Sequence, residues 1–228
     1  MGKTKKEKFF NSEDLIHIKP LTDKQNEAFH TFHNFPVCAF TGPPGTGKSQ
    51  IGAYLGLRDV INNHYEQMIL LRSAAPTREI GFLPGSQEEK TDPYFEYAEH
   101  LFSNILRYKS NNTKNLVESG LLHLETTSFL RGKTFDRSVI LLDEVQNTTF
   151  SELHTTITRM GQDSKLILVG DSNQCDLSKK NDQSGMAQIM DILNDTGKVG
   201  HVDFGFEDII RSDFVKDYIK VGMMKGYF

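Results

Sequence analysis

Cysteine is nearly absent from this 228-residue chain, with Cys38 and Cys175 the only two. Each falls in or beside an apolar strand candidate, so they give no disulfide framework; this excludes the small stapled classes and points to a reducing cytoplasm. Long hydrophobic runs are missing too. No stretch approaches the ~20 apolar residues of a membrane helix, and the opening MGKTKKEKFFNSEDL lacks the apolar segment of a secretory signal. Nor is there a basic excess: 26 Lys and Arg stand against 30 Asp and Glu, for a net charge of −4. A protein that coats nucleic acid is usually basic, so any such contact here has to be a local groove. The four lysines of KTKKEK read as a solubilising tail. No internal repeat is present. With 37% hydrophobic and 25% charged residues, the chain has the make-up of one globular domain.

Against these absences stands FTGPPGTGKSQI, Phe40 to Ile51. Gly42, Gly47, Lys48 and Ser49 spell G-x-x-x-x-G-K-[ST], with Pro43, Pro44, Gly45 and Thr46 between them. The apolar PVCAF before it predicts a buried strand. Ile51, Tyr54, Leu55, Leu57 and Ile61 after it recur at helical spacing. Strand, glycine loop, helix is the order that phosphate binding needs, because the helix N-terminus offers unpaired N–H groups and a partial positive charge. Lys48 then reaches the β- and γ-phosphates, and the Ser49 hydroxyl takes a place on Mg²⁺.

Further strands are predicted at Gln67–Arg72, Leu121–Glu125, Val139–Asp143, Leu166–Gly170 and His201–Phe204, with helices between most of them. An amphipathic helix capped by Thr22 or Asp23 precedes the glycine loop. A last helix spans about 207–221, with Ile210, Phe214, Tyr218 and Val221 as its apolar stripe. KSNNTKN, residues 109–115, reads as a polar loop. Alternating strands and helices predict an α/β fold: a parallel sheet covered on both faces. Residues 1–20 are a tail and lead-in, and 21–228 the domain.

SVILLDEVQN supplies a partner for the loop. Its apolar strand ends in Asp143, placed to hold Mg²⁺, and Glu144, placed to orient and deprotonate water. No Asn-Lys-x-Asp base-reading motif is present, which argues against a guanine switch, and a small-molecule kinase has no need of a water-directed carboxylate. Hydrolysis of a nucleoside triphosphate fits better. LILVGDSNQCDL adds another strand with Gln174 in the turn after it, an amide suited to sensing the γ-phosphate. Gln25, ahead of the loop, carries the donor–acceptor pair that matches the adenine N6/N7 edge. His30 and His33 lie three apart on a helix without further metal ligands. Arg131, Lys133 and Arg137 suit either phosphate contact or a solvated hairpin.

These segments together resemble the PhoH family of ATPases over nearly the whole chain after the tail. The resemblance rests on LTDKQNEAF, TGPPGTGKS, ILLRSAAPTREIGFLPGSQEEKTDPYFEY, FLRGKTFDRSVILLDEVQNTT, LILVGDSNQCDL and DIIRSDFV. The short form without an added nuclease-type domain is most similar to the phage-encoded branch. The resemblance implies a single RecA-like P-loop domain, similar to one half of a superfamily-one helicase. It also implies ATP with Mg²⁺, ring assembly (a hexamer), and action on RNA or single-stranded DNA in the cytoplasm. Gln25 then reads adenine, Gly42–Ser49 hold the phosphates, Asp143 and Glu144 serve metal and water, and Gln174 is the sensor. Where relatives tend to have an arginine after the Asp-Leu pair, this chain has Lys179 and Lys180. With room for only one half of a helicase, the missing cation is expected from a neighbouring subunit; Arg211 is the first candidate, Arg131 and Arg159 the reserves. Phe82, Lys90, Tyr94 and Phe95 suggest either a subunit-contact loop or one that lines a pore. The alternative function is an ATP-dependent oligomeric sensor or scaffold that never touches nucleic acid.

Overall fold

The computed structural model describes residues 10–73, 92–107, 112–171 and 185–227. In chain order these form α1 (Asp23–Asn34), β1 (Val37–Thr41), α2 (Lys48–Ile61), β2 (Gln67–Arg72), α3 (Asp92–Ser103), α4 (Asn112–Glu118), β3 (Leu122–Thr126), β4 (Ser138–Asp143), α5 (Phe150–Thr158), β5 (Lys165–Gly170), α6 (Met186–Asp195), β6 (Val199–Asp203) and α7 (Asp213–Met224). All six strands are parallel, in the order β3-β2-β4-β5-β1-β6.

Period-two alternation divides each strand between two cores. Cys38, Phe40, Leu70, Leu141, Ile167 and Val169 point to one face, where they meet Phe32 of α1, Leu55 and Leu57 of α2, Phe102 of α3 and Leu116 of α4. Val37, Ala39, Ile69, Leu71, Ile140, Leu142, Leu166 and Leu168 point to the other, against Leu153 of α5 and Ile189 and Leu193 of α6. Both faces are therefore covered, and functional groups are left to the loops at the carboxyl ends of the strands. This is the single RecA-like α/β domain that the sequence predicts.

Three local expectations change. Asn112 to Asn115 open α4 and are not loop, because Asn112, Thr113 and Leu116 are buried there. Tyr94 and Phe95 belong to α3, and the Tyr94 hydroxyl donates to the Leu70 carbonyl, so that ring is turned inward; Phe82 and Lys90 lie outside the described residues. The last helix starts only at Asp213. Residues 206–208 form a short 3₁₀ turn closed by Asp208, whose Oδ2 accepts from the Gly205 N–H. Ile209 and Ser212 are extended, which separates this turn from α7, and the Ile210 N–H donates to the Gly45 carbonyl at 2.8 Å, tying the stretch to the glycine loop.

Candidate nucleotide site

β1 delivers its chain to the glycine loop at Thr41, and α2 begins at Lys48. Gly47 is the N-cap residue at φ 85° and Gly45 lies at φ 84°, left-handed conformations that cost other residues strain. A Cβ on Gly45 would also stand 2.9 Å from the Arg211 Cγ. The loop is tied from inside: the Lys48 ammonium donates to the carbonyls of Gly42 (2.7 Å) and Pro43 (2.6 Å), and the Thr46 hydroxyl donates to Pro43 at 3.2 Å. It is tied from outside by Gln25, whose Nε2 donates to the Thr46 carbonyl at 2.9 Å while its Oε1 accepts from the Leu21 N–H at 2.8 Å. Gln25 is buried beneath the loop it braces. Each end of its amide keeps one further hydrogen-bonding position. Burial holds the Lys48 ammonium below its ordinary range, against the pull of Asp171, Asp143 and Glu144.

Across the cleft, β4 ends at Asp143. Its Oδ1 accepts from the Ser49 hydroxyl at 3.0 Å and from the Glu144 N–H at 3.0 Å, and its Oδ2 accepts from the Tyr97 hydroxyl of α3. Glu144 sits in the left-handed region at φ 56°, a conformation that a non-glycine residue keeps only where its surroundings impose it. Burial first, and the Asp143 charge second, push the Glu144 carboxyl above its ordinary range, while a hydrogen bond from the Gln146 Nε2 at 2.6 Å holds it down. The other end of that amide, Gln146 Oε1, accepts from the Asp171 N–H at 3.0 Å and so links β4 to the tip of β5. These groups line one cavity of about 560 Å³ together with Ile18, Leu21, Ile210 and Arg211.

The groups present fit a nucleotide with a hard divalent cation. The loop offers the helix N-terminal N–H groups and a buried ammonium to phosphate. Ser49 and Asp143 already share a hydrogen bond that a cation can replace, and Mg²⁺ asks for only one or two protein ligands beside phosphate and water. Among the described residues there is no cluster of three His, Cys, Asp or Glu side chains placed to hold a metal ion. His33 instead lies 3.3 Å from Arg58.

The model of the family described as "PhoH-like protein" matches residues 17–222. The chain belongs to the PhoH family. Among curated PhoH proteins it is 33% identical over 180 residues to the PhoH-like protein of Bacillus subtilis, covering 78% of this chain and 56% of that one. It is 32% identical over 203 residues to Protein PhoH of Escherichia coli K12, covering 89% of this chain and 54% of the other. The chain thus spans little more than half the length of these relatives. Among solved structures, the large terminase of a thermophilic bacteriophage superposes with a TM-score of 0.54 at 13% identity, over 90% of this chain and 50% of the terminase. That likeness concerns the fold alone.

Family membership, the fold and this geometry make the chain a P-loop NTPase domain. Gln25, Pro44, Gly45, Gly47, Lys48, Ser49, Asp143, Glu144 and Arg211 line one cavity; Gly42, Pro43 and Thr46 are not in its lining. Gln174 lies outside the described residues. Arg211 stands ahead of α7, at the mouth of its own chain's cavity beside Gly45, and forms no ion pair with Asp208 or Asp213 among the described residues. Sequence reasoning missed Gln146, Tyr97 and Arg72. The Arg72 guanidinium packs on the Tyr97 ring at 4.3 Å, and its strand register places it beside Asp143. Gln146, in the DEVQN run, was within reach of sequence reading; Tyr97 was not, because nothing in a helix near residue 97 announces a carboxylate partner 46 positions on.

Proposed function

We propose that this PhoH domain hydrolyses ATP with Mg²⁺ and couples turnover to binding or remodelling of RNA or single-stranded DNA. The observation that carries the hydrolytic part is the 3.0 Å contact between Ser49 of the glycine loop and Asp143 of β4, with Glu144 turned to the same cavity. ATP with Mg²⁺ would supply the scissile γ-phosphoryl group and neutralise charge on its oxygens. Lys48 and the first N–H groups of α2 bind and orient the phosphates, Ser49 and Asp143 hold the cation, and Gln25 faces adenine while bracing the loop. Glu144 takes the proton of the attacking water. Its raised carboxyl makes it a stronger base than an exposed glutamate, and Gln146 fixes its direction. Gln174 is kept as the γ-phosphate sensor. Arg211 we place on the nucleotide of its own chain, in support of which stands its contact with Gly45.

We also propose self-assembly into a ring, a hexamer by family resemblance, in the cytoplasm. In support, the stripe Phe214, Tyr218, Val221 and Met224 along α7 is exposed. Burial pushes the Cys38 thiol up to about 12, as suits an inert core residue. ATP turnover measured with and without single-stranded RNA and DNA tests the coupling. Stimulation by either strand supports it. No stimulation and no binding at low salt would favour an oligomeric sensor or scaffold, the reading that the net charge of −4 favours.

A further inference from the structure

The carboxyl edge of the sheet carries a second recess. It lies between the turn that follows β3 and the first turns of α5, whereas the cavity above lies over β4, β5 and β1. We propose that this recess is where a single nucleic-acid strand binds, with a base on Phe129 and a phosphate on Arg131. This rests on the nucleic-acid reading above and adds a location and residues to it.

The groove, of about 260 Å³, is lined by Thr127, Ser128, Arg131, Ser151, Glu152 and Thr155. One wall is the short 3₁₀ turn Thr127–Phe129 after β3, and the other is the first turns of α5. Thr127 and Leu130 are buried, and anchoring both turns the intervening Phe129 outward, 63% exposed. Phe150, next to Ser151 at the start of α5 and 40% exposed, stacks on His154 with planes 9° apart. A lone exposed ring is ordinary, but one held outward on the wall of a polar groove offers a face on which a base stacks.

The charges point the same way. Lys133 is paired with Glu125, whereas Arg131 is exposed and has no ion pair or hydrogen bond among the described residues. The only carboxylate in the lining, Glu152, already accepts from the Thr149 N–H (2.9 Å), the Thr149 hydroxyl (2.8 Å), the Thr127 hydroxyl and the Ser73 hydroxyl (3.4 Å). Both of its oxygens are engaged by these donors. An uncommitted guanidinium, serine hydroxyls and the exposed Phe129 ring together suit a single strand, whose phosphates and unstacked bases are both accessible; a duplex hides the base faces. Glu152 also binds the tips of β2 and β3 to α5, which follows Glu144 by only a short 3₁₀ turn and the Thr149 cap. A strand in the groove thus presses on the connection that carries the water-directed carboxylate.

The test uses the full chain and fluorescein-labelled twenty-nucleotide oligo-U and oligo-dT, read by anisotropy over a salt series. Phe129→Ala should weaken strand binding about tenfold while Phe129→Trp retains it, with melting temperature and strand-free ATP turnover unchanged in both. Arg131→Ala should lessen the slope of log affinity against log salt by about 0.7, as one lost phosphate contact does. If the unchanged chain binds the oligonucleotides but both alanine variants match it in affinity and slope, the location is wrong. Equal competition by polyglutamate of the same charge would reduce the groove to a general anion patch and overturn the proposal. Arg131→Ala that loses strand-free turnover and keeps binding would also overturn it, by assigning the arginine to nucleotide chemistry. No binding by the unchanged chain at low salt would remove the nucleic-acid reading itself, and the groove with it.

Discussion

Helices α2 and α7 are both amphipathic by sequence, yet 11 of the 14 residues of α2 are buried and only two of the 12 in α7. α2 threads between the sheet and α1 and α3, with Gly52 and Gly56 letting it approach β4 and β5 so closely that an added Cβ would stand 3.1 Å from Leu141 and 3.0 Å from Val139. Its first turn is therefore held rigidly where phosphate would bind. α7 leaves Phe214, 78% exposed, and Met224 in solvent. The difference separates a helix that the chain packs on its own, at the glycine loop, from a surface that it leaves exposed, where the proposed assembly would act. It also shows what periodicity can convey: an apolar stripe marks a face, and says nothing of what covers it.

The largest expected effect lies on the packed side. Lys48→Ala removes the cation that the loop carbonyls hold for phosphate, so affinity for ATP should fall about a hundredfold, two or so charge-assisted hydrogen bonds being lost. Titration calorimetry checks this, and unchanged affinity would detach the loop from phosphate binding. Next comes Arg211, at the seam between the two regions. If it serves its own chain's nucleotide, Arg211→Ala should weaken ATP binding several-fold, and mixing it with Glu144→Gln protein should restore no turnover. Restored turnover in the mixture would return Arg211 to a neighbouring subunit's site.

On the exposed side, Phe214→Glu with Met224→Glu should shift the sedimenting species towards monomer. Surface changes of this kind move stability by only about ±0.5 kcal/mol, so the melting temperature of the monomer should scarcely alter. A loss of folding instead would mean that the stripe belongs to the chain's own core. The smallest effect is expected from Gln146→Leu. The Gln146 amide holds the Glu144 carboxyl down, so its loss raises that group further; the base is then protonated at higher pH, and the acid limb of the turnover profile should move upwards. An unmoved limb would leave Gln146 only its link to Asp171.

Much of this arrangement was legible in the sequence. The central strands β1, β2, β4 and β5 lie where apolar runs place them, since burial on both faces of a parallel sheet writes itself as continuous hydrophobicity. The less buried edge strands β3 and β6 are offset by one and two residues at their starts from the expected Leu121–Glu125 and His201–Phe204. The Thr22 cap, the loop Gly42–Ser49 and the pair Asp143–Glu144 were likewise readable, because each depends on neighbours in the chain. What escaped depends on partners far along it. Tyr97 on Asp143, Arg72 on Tyr97 and the Ile210 N–H on the Gly45 carbonyl are contacts across loops, and only the fold reveals them. The late start of α7 reflects backbone that sequence periodicity does not show: Ile209 and the N-cap Ser212 are both extended, so the helix opens only after them.

The central claim, that Lys48, Ser49, Asp143 and Glu144 form one hydrolytic site, is tested most directly by Glu144→Gln. Glutamine keeps the size of the side chain and removes its ability to accept the proton of water. ATP affinity by titration and turnover by phosphate release should be measured on the same preparation. The account predicts unchanged affinity with turnover reduced about 10²–10⁴-fold, the range of a lost general base. Turnover equal to that of the unaltered chain would contradict it.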